Sequence, residues 1–228
     1  MLKILKNIRN SFFLFAILLS DFSDLKAKNS KDVSNTEVKR KTISHKKKYS
    51  LTLANSKDGH PVRSGKKSYR FEVRLGDCGK DSGHDDCKKD RQRTELQFKK
   101  HQMGKKDHWY SASIYLPEDY QSVAPVRTTF AQLYEKGWKP ILMITDRSGE
   151  WLEVGRMWSG EYVEMKKAIR INDMRGKWTD VLINARYSRE ENGFMKVWIN
   201  NKLILNAENI KNITPYTKRG VGLDFGIY

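Results

Sequence analysis

Apolar and polar residues alternate over short segments along most of the chain after residue 48. Between residues 69 and 75, the apolar positions are every second one, namely Tyr69, Phe71, Val73 and Leu75. Successive side chains of a strand point to opposite faces, so such a segment buries one face and turns the other to water or a ligand. The spacing predicts strands, and no amphipathic helix of useful length is predicted.

The same alternation recurs in later segments, and turn residues separate them. The alternating segments are 93–98, 109–116, 140–145, 178–187, 194–205 and 220–228. The turn signals include Asp58-Gly59, Glu191-Asn192-Gly193 and Asn200-Asn201. Many short strands without helical crossovers predict an all-β, antiparallel β-sandwich of jelly-roll type in a single domain.

The N-terminal region differs in composition from the rest of the chain. Basic residues precede a short apolar run from Phe12 to Leu19, which is the layout of a secretory signal. Residues 1–27 are therefore predicted as a signal peptide, with an N-terminal anchor or a buried hairpin as the alternative. Residues 28–49 are polar and are predicted as a flexible basic leader to the domain at 50–228. The expected location is secreted or periplasmic.

Two cysteines, Cys78 and Cys87, are present in the whole sequence. An even pair in an exported chain predicts one disulfide. His84, Asp85 and Asp86 lie between the cysteines, but a zinc site would require more thiolate or imidazole ligands. No metal site is predicted.

The formal net charge is +17. Such a charge attracts polyanions, whether nucleic acid, anionic lipid or uronate-rich polysaccharide, and does not choose among them. The signal-like N-terminus and the absence of a recognisable nucleic-acid module argue against a nucleic-acid partner.

Three segments, in order, resemble signature strands of the jelly-roll polysaccharide lyases, above all the heparin lyase I and glucuronan lyase-like enzymes. They are residues 91–96 (RQRTEL), 130–134 (FAQLY) and 222–228 (GLDFGIY), and residues 108–117 and 176–180 are also similar. The likeness covers roughly residues 50–228. It implies a concave groove and a lyase that cleaves an acidic, uronate-containing polysaccharide by β-elimination.

The resemblance also assigns catalytic residues. Arg93 and Gln132 would neutralise the uronate carboxylate as negative charge develops on it. Tyr228 would protonate the leaving oxygen and, in some relatives, first takes the proton from the sugar ring. Glu95 would orient Arg93 through a salt bridge.

The further candidates for substrate binding flank these positions or could reach the groove rim. They are Glu95, Gln97, Tyr134, Arg74, His60, His84 and Asp224. Tyr134 stands where many relatives have a histidine base, and Asp224 stands where relatives often have a lysine. The general base is therefore open, with His60, His84, His101 and His108 as substitutes for it.

No redox cofactor is implied, and calcium, found in some relatives, has no predicted position here. The expected partner is an anionic polysaccharide, with no nucleic acid and no membrane after signal removal, and the expected state is a monomer. The alternative is a catalytically silent carbohydrate-binding module of the same fold, in which tryptophans would serve as stacking platforms.

Overall fold

The computed structural model describes residues 10–17, 38–98, 103, 106–137 and 139–228. The strands are β1 (Asn10–Ile17), β2 (Val38–Arg40), β3 (Leu51–Asn55), β4 (Lys67–Val73), β5 (Lys80–Asp81), β6 (His84–Asp85), β7 (Thr94–Phe98), β8 (Asp107–Tyr115), β9 (Thr128–Glu135), β10 (Pro140–Asp146), β11 (Trp151–Trp158), β12 (Glu161–Arg170), β13 (Trp178–Arg186), β14 (Gly193–Ile199), β15 (Lys202–Ile210) and β16 (Val221–Ile227). One four-residue helix, α1 (Ile171–Met174), follows β12. Across the described ranges, no helix is long and apolar enough to cross a membrane.

Two seven-stranded sheets form a sandwich. Sheet A has the order β15-β14-β13-β8-β1-β4-β3, and sheet B has the order β12-β11-β10-β9-β16-β7-β2. Neighbouring strands are antiparallel in both sheets. This arrangement confirms the predicted all-β antiparallel sandwich.

The core lies between the sheets, where the apolar positions of the alternating segments meet. Phe225 of β16 packs edge-on against Phe71 of β4, with ring centroids 6.1 Å apart. Leu96 and Phe98 of β7 are buried on the same side. Because side chains alternate along a strand, β7 and β16 turn their polar residues to the opposite side, called here the outer face of sheet B.

One predicted strand is shorter than the sequence pattern indicated. β4 ends at Val73, and Leu75 is 80% exposed instead of sharing the buried face. The backbone turns here because Asp77 donates its N–H to the carbonyl of Arg74, and its carboxylate accepts the N–H of Arg74.

The domain begins earlier than the predicted boundary at residue 50. β2 pairs with β7, and Ile43, Ser44 and His45 are buried. Over residues 38–49 the structure therefore differs from a flexible leader, while residues 28–37 lie outside the described residues. The segment is held by backbone pairing and by polar contacts, which a search for apolar alternation does not detect.

Part of the predicted signal peptide lies in a sheet. Asn10–Ile17 form β1 between β4 and β8 of sheet A. The remainder of residues 1–27 lies outside the described residues. Removal of this segment on export stays a prediction.

Candidate active site

A continuous row of residues crosses the outer face of sheet B. Asp224 of β16 pairs in register with Gln97 of β7 on one side and with Gln132 of β9 on the other. Gln132 is in register with Met143 of β10, which in turn pairs with Gly155 of β11. The sequence motifs of β7, β9 and β16 therefore meet on one face, as their resemblance implied.

Arg93 is a buried, fully engaged guanidinium. Its Nε and Nη2 donate to Asp86 Oδ2 and Oδ1 at 2.5 and 2.9 Å, and its Nη1 lies 3.2 Å from Glu95 Oε2. Only 5% of the residue is exposed. This confirms the predicted contact between Arg93 and Glu95. The structure also shows a second anion, Asp86. Its carboxylate occupies the Nε–H and Nη2–H groups of Arg93, which the resemblance assigned to the substrate carboxylate.

Tyr228 lies on this guanidinium. The Arg93 carbon Cζ is 3.7 Å from the centroid of the Tyr228 ring, within the range of cation–π contact. Tyr228 also exchanges backbone hydrogen bonds with Thr129, its N–H donating at 3.0 Å and its carbonyl accepting. The residue is half-buried and is fixed both through its backbone and through its ring.

Lys41 is a cation of the site that the sequence analysis missed, since it falls in the predicted leader. Its Nζ lies 2.7 Å from Asp224 Oδ2 and 3.3 Å from Glu95 Oε2, and 5.3 Å from the centroid of the Tyr134 ring. Burial opposes the charged form, but the carboxylates of Glu95 and Asp224 outweigh it and raise the pKa of Lys41. The anion at position 224 is thus paired with a lysine that directly follows β2.

Amide side chains link the charged groups. Gln132 Nε2 donates to Glu95 Oε1 at 2.8 Å, and Gln97 Nε2 donates to Asp224 Oδ1 at 2.9 Å. Lys136 Nζ donates to Gln97 Oε1 at 3.1 Å from the edge of the network. We call the set Lys41, Asp86, Arg93, Glu95, Gln97, Gln132 and Asp224 the ionic cluster.

Burial shifts the proton affinity of two groups beside Lys41. It raises the pKa of Asp224, against the opposing charge of Lys41. It also raises the pKa of Tyr134, which is half-buried. Tyr134 is therefore protonated at neutral pH, which disfavours it as the group that removes a proton.

The other predicted site residues make contacts outside this row. Arg74 donates to Glu72 at 2.6 Å and stacks on Tyr49. His60 is exposed beyond β3 of sheet A, and His84 is exposed on β6, with its Nε2 3.1 Å from Lys89 Nζ. Their roles in substrate binding stay predictions.

Two other histidines were proposed as bases. His108 lies on β8 of sheet A, where its ring stacks on Tyr187. His101 lies outside the described residues.

His45 is the histidine that lies behind the site. It is 4% exposed, and its backbone N–H donates to the backbone carbonyl of Arg93 at 3.2 Å. Burial lowers the pKa of His45, although Asp77, with an oxygen 3.5 Å from Nε2, acts in the opposite direction. The ring is therefore a neutral, structural neighbour of the strand that carries Arg93.

The predicted disulfide is confirmed. Cys78 and Cys87 are bonded, and Asp86 directly precedes Cys87 in this loop. Asp86 is 0% exposed, and its N–H donates to the carbonyl of Gly79 at 3.0 Å. The disulfide loop thus presents the carboxylate that binds Arg93.

Within the described part of the chain, no group of three or more metal-ligating side chains is arranged to hold an ion.

Comparison with known proteins gives a family and a fold. A family model described as Polysaccharide lyase matches residues 33–228. No curated protein matches the chain. The solved structure of endo-β-1,4-glucuronan lyase from the fungus Trichoderma reesei matches with a TM-score of 0.58 and 16% identity, over 85% of this chain and 84% of that one. The cellulose induced protein Cip1 matches with a TM-score of 0.48 and 16% identity, over the same shares.

The likeness to the glucuronan lyase confirms that the sandwich is of the jelly-roll type. The family model covers most of the chain, including every residue of the ionic cluster. The chain therefore belongs to the polysaccharide lyase family.

Proposed function

We propose that this lyase cleaves a uronate-containing polysaccharide by β-elimination on the outer face of sheet B. The observation that carries the proposal is Tyr228, whose ring is held on the Arg93 guanidinium beside the ionic cluster. The name of the Trichoderma enzyme, a glucuronan lyase, agrees with a uronate substrate. The net charge of +17 favours the capture of a polyanion.

β-Elimination requires three events at one sugar linkage. A base removes the proton from the carbon beside the carboxylate, and the electron pair forms a carbon–carbon double bond. The glycosidic bond breaks, and its oxygen receives a proton. Negative charge develops on the carboxylate, so preorganised donors beside it lower the barrier.

The contacts suggest how the residues divide these tasks. Gln132 has a second amide hydrogen beyond the one given to Glu95, and Lys41 is the partly exposed cation of the cluster, at 17% of its side chain. These two groups are proposed to meet the substrate carboxylate. Arg93 is instead occupied by Asp86 and Glu95, and it is proposed to position Tyr228 and to supply a fixed positive field.

Tyr228 is proposed to move the protons. It is a hydroxyl-bearing side chain whose ring contacts the arginine of the cluster, beside the groups proposed to hold the substrate carboxylate. It therefore serves as the acid for the leaving oxygen and as the candidate base for the ring proton. Export of the enzyme is part of the proposal, supported by the signal-like N-terminus and by the disulfide.

The direct test uses a panel of polysaccharides. Purified protein is incubated with glucuronan, alginate, heparin, chondroitin and a neutral glucan, and the unsaturated uronate product is followed by its ultraviolet absorbance. We expect product from at least one uronate polymer and none from the neutral glucan. Cleavage without an unsaturated product would contradict β-elimination. Binding to a uronate polymer without any cleavage would favour the alternative of a silent binding module.

A further inference from the structure

Tyr162 packs over Gly155 on the outer face of sheet B, at the end away from the ionic cluster. A Cβ atom built on Gly155 would lie 2.2 Å from Cε1 of the Tyr162 ring. The absence of a side chain at position 155 therefore creates the space that the ring occupies. Gly155 alternates with the fully buried Val154, so the ring rests on the outer face and not in the core.

Two exposed arginines from different loops converge on this tyrosine. Arg127, which precedes β9, donates from Nη1 to the Tyr162 hydroxyl at 3.3 Å. Arg147, which follows β10, lies with its Cζ 5.1 Å from the ring centroid, and its Nη1 is 3.5 Å from Met165 Sδ. Neither arginine forms an ion pair with a carboxylate in the described part of the chain. By contrast, Arg63, Arg156 and Arg186 are each paired with one.

The tyrosine and the ionic cluster share one continuous surface. Gly155 pairs with Met143, and Met143 is in register with Gln132. Two interstrand spacings, about 10 Å, therefore separate Gly155 from Gln132. A polysaccharide that crosses the strands of sheet B would pass over both places.

We propose that Tyr162, Arg127 and Arg147 form a second subsite, which binds another carboxylate-bearing sugar of the same polymer. The inference rests on the proposed function for the identity of the ligand. The guanidinium group of arginine matches the geometry of a carboxylate and binds it through paired hydrogen bonds. Tyr162, together with the thioether of Met165, offers an apolar surface for the C–H groups of the sugar ring.

The subsite is tested by binding, separately from cleavage. Titration calorimetry measures the affinity of Tyr228→Phe protein for long glucuronan and alginate chains, and for short oligomers of each. Adding Arg127→Ala and Arg147→Ala is expected to weaken binding of the long chains at least about tenfold, since hydrogen bonds to charged groups are lost. Binding of the shortest oligomers is expected to change less, because they can occupy the ionic cluster alone.

Matched variants separate a specific site from general electrostatic attraction. Lys67→Ala with Lys202→Ala removes two exposed positive charges from sheet A and is expected to leave affinity within about twofold. Arg127→Lys with Arg147→Lys keeps the charge and is expected to recover part of the loss. The proposal of a second subsite is overturned if the double arginine variant binds like the double lysine variant of sheet A, or if no acidic polymer binds at all. Affinity lost in the double variant, with no cleavage by the wild type, would uphold the subsite and refute the proposed reaction.

Discussion

At the scale of single residues, the site is a set of buried charges that compensate one another. Lys41 and Arg93 lie among the carboxylates of Asp86, Glu95 and Asp224. Charges taken out of water are tolerated when they are paired and hydrogen-bonded, and removing one partner leaves the other uncompensated. Each member of the ionic cluster is therefore expected to affect stability as well as activity.

Lys41→Met tests this dependence. The change leaves Asp224 and Glu95 without their shared cation, and we expect it to lower the free energy of unfolding by about 3 kcal/mol in urea denaturation. Lys41→Arg keeps the charge and is expected to lower the free energy of unfolding by less. Adding Asp224→Asn to Lys41→Met is expected to restore part of the stability, because the unpaired anion is removed. If the two substitutions lowered stability additively in the double variant, the ion pair between Lys41 and Asp224 would be contradicted.

His45 is expected to make stability fall in mildly acidic solution. Its pKa is lowered by burial in the folded state, whereas in the unfolded chain it is about 6.5. As the pH falls below that value, the unfolded state takes up a proton that the folded state does not, so the free energy of unfolding decreases. The decrease is complete once the pH is below the folded pKa.

The measurement is the melting temperature as a function of pH for the wild type and for His45→Gln. The carboxylates titrate in both proteins, so the difference between the two curves reports His45. We expect the wild type to lose more stability than the variant on going from neutral to mildly acidic pH. Parallel curves would show that His45 does not contribute to the pH dependence of stability.

At the scale of elements, β16 contributes residues both to the core and to the candidate active site. It lies between β9 and β7, with Phe225 in the core and Asp224 on the outer face. Gly226 has a φ of +143°, and a Cβ there would lie 2.2 Å from the carbonyl oxygen of Thr94. Only glycine fits this close approach, which sets the path of the strand toward Tyr228.

Gly226→Ala is therefore expected to destabilise the protein by roughly 1–3 kcal/mol and to lower activity by displacing Tyr228. Thermal unfolding and the ultraviolet assay measure the two effects. Gly83→Ala is the matched control, since a Cβ at Gly83 approaches no atom nearer than 4.0 Å. Equal effects of the two substitutions would contradict the role of Gly226.

The disulfide loop is the second element with a direct link to the site. Replacing Cys78 and Cys87 by serine is expected to lower stability by about 2–3 kcal/mol, through the freedom that the unfolded chain regains. Because the loop presents Asp86 to Arg93, the folded variant is also expected to lose activity. The assay is run well below the melting temperature of the variant. Full activity of that folded variant would show that the loop does not position Arg93.

At the scale of the whole molecule, the fold is the part that the sequence predicts best. Strands such as β7 and β16 were predicted because burial on one face imposes a period of two on their residues. β2 was missed since this three-residue edge strand carries no such pattern, and Lys41 was missed with it. Ion pairs between distant segments, such as Arg93 with Asp86, depend on the tertiary structure and leave no local signal.

The central claim is that Tyr228 moves protons in a β-elimination on the outer face of sheet B. The most direct measurement is the initial rate of unsaturated product formation by Tyr228→Phe, relative to the wild type and to Tyr216→Phe. Tyr216 is 64% exposed and lies in the segment between β15 and β16. The account predicts that Tyr228→Phe loses roughly a hundredfold to ten-thousandfold in rate, with an unchanged melting temperature, and that Tyr216→Phe keeps the wild-type rate. A rate for Tyr228→Phe within a few fold of the wild type would contradict it.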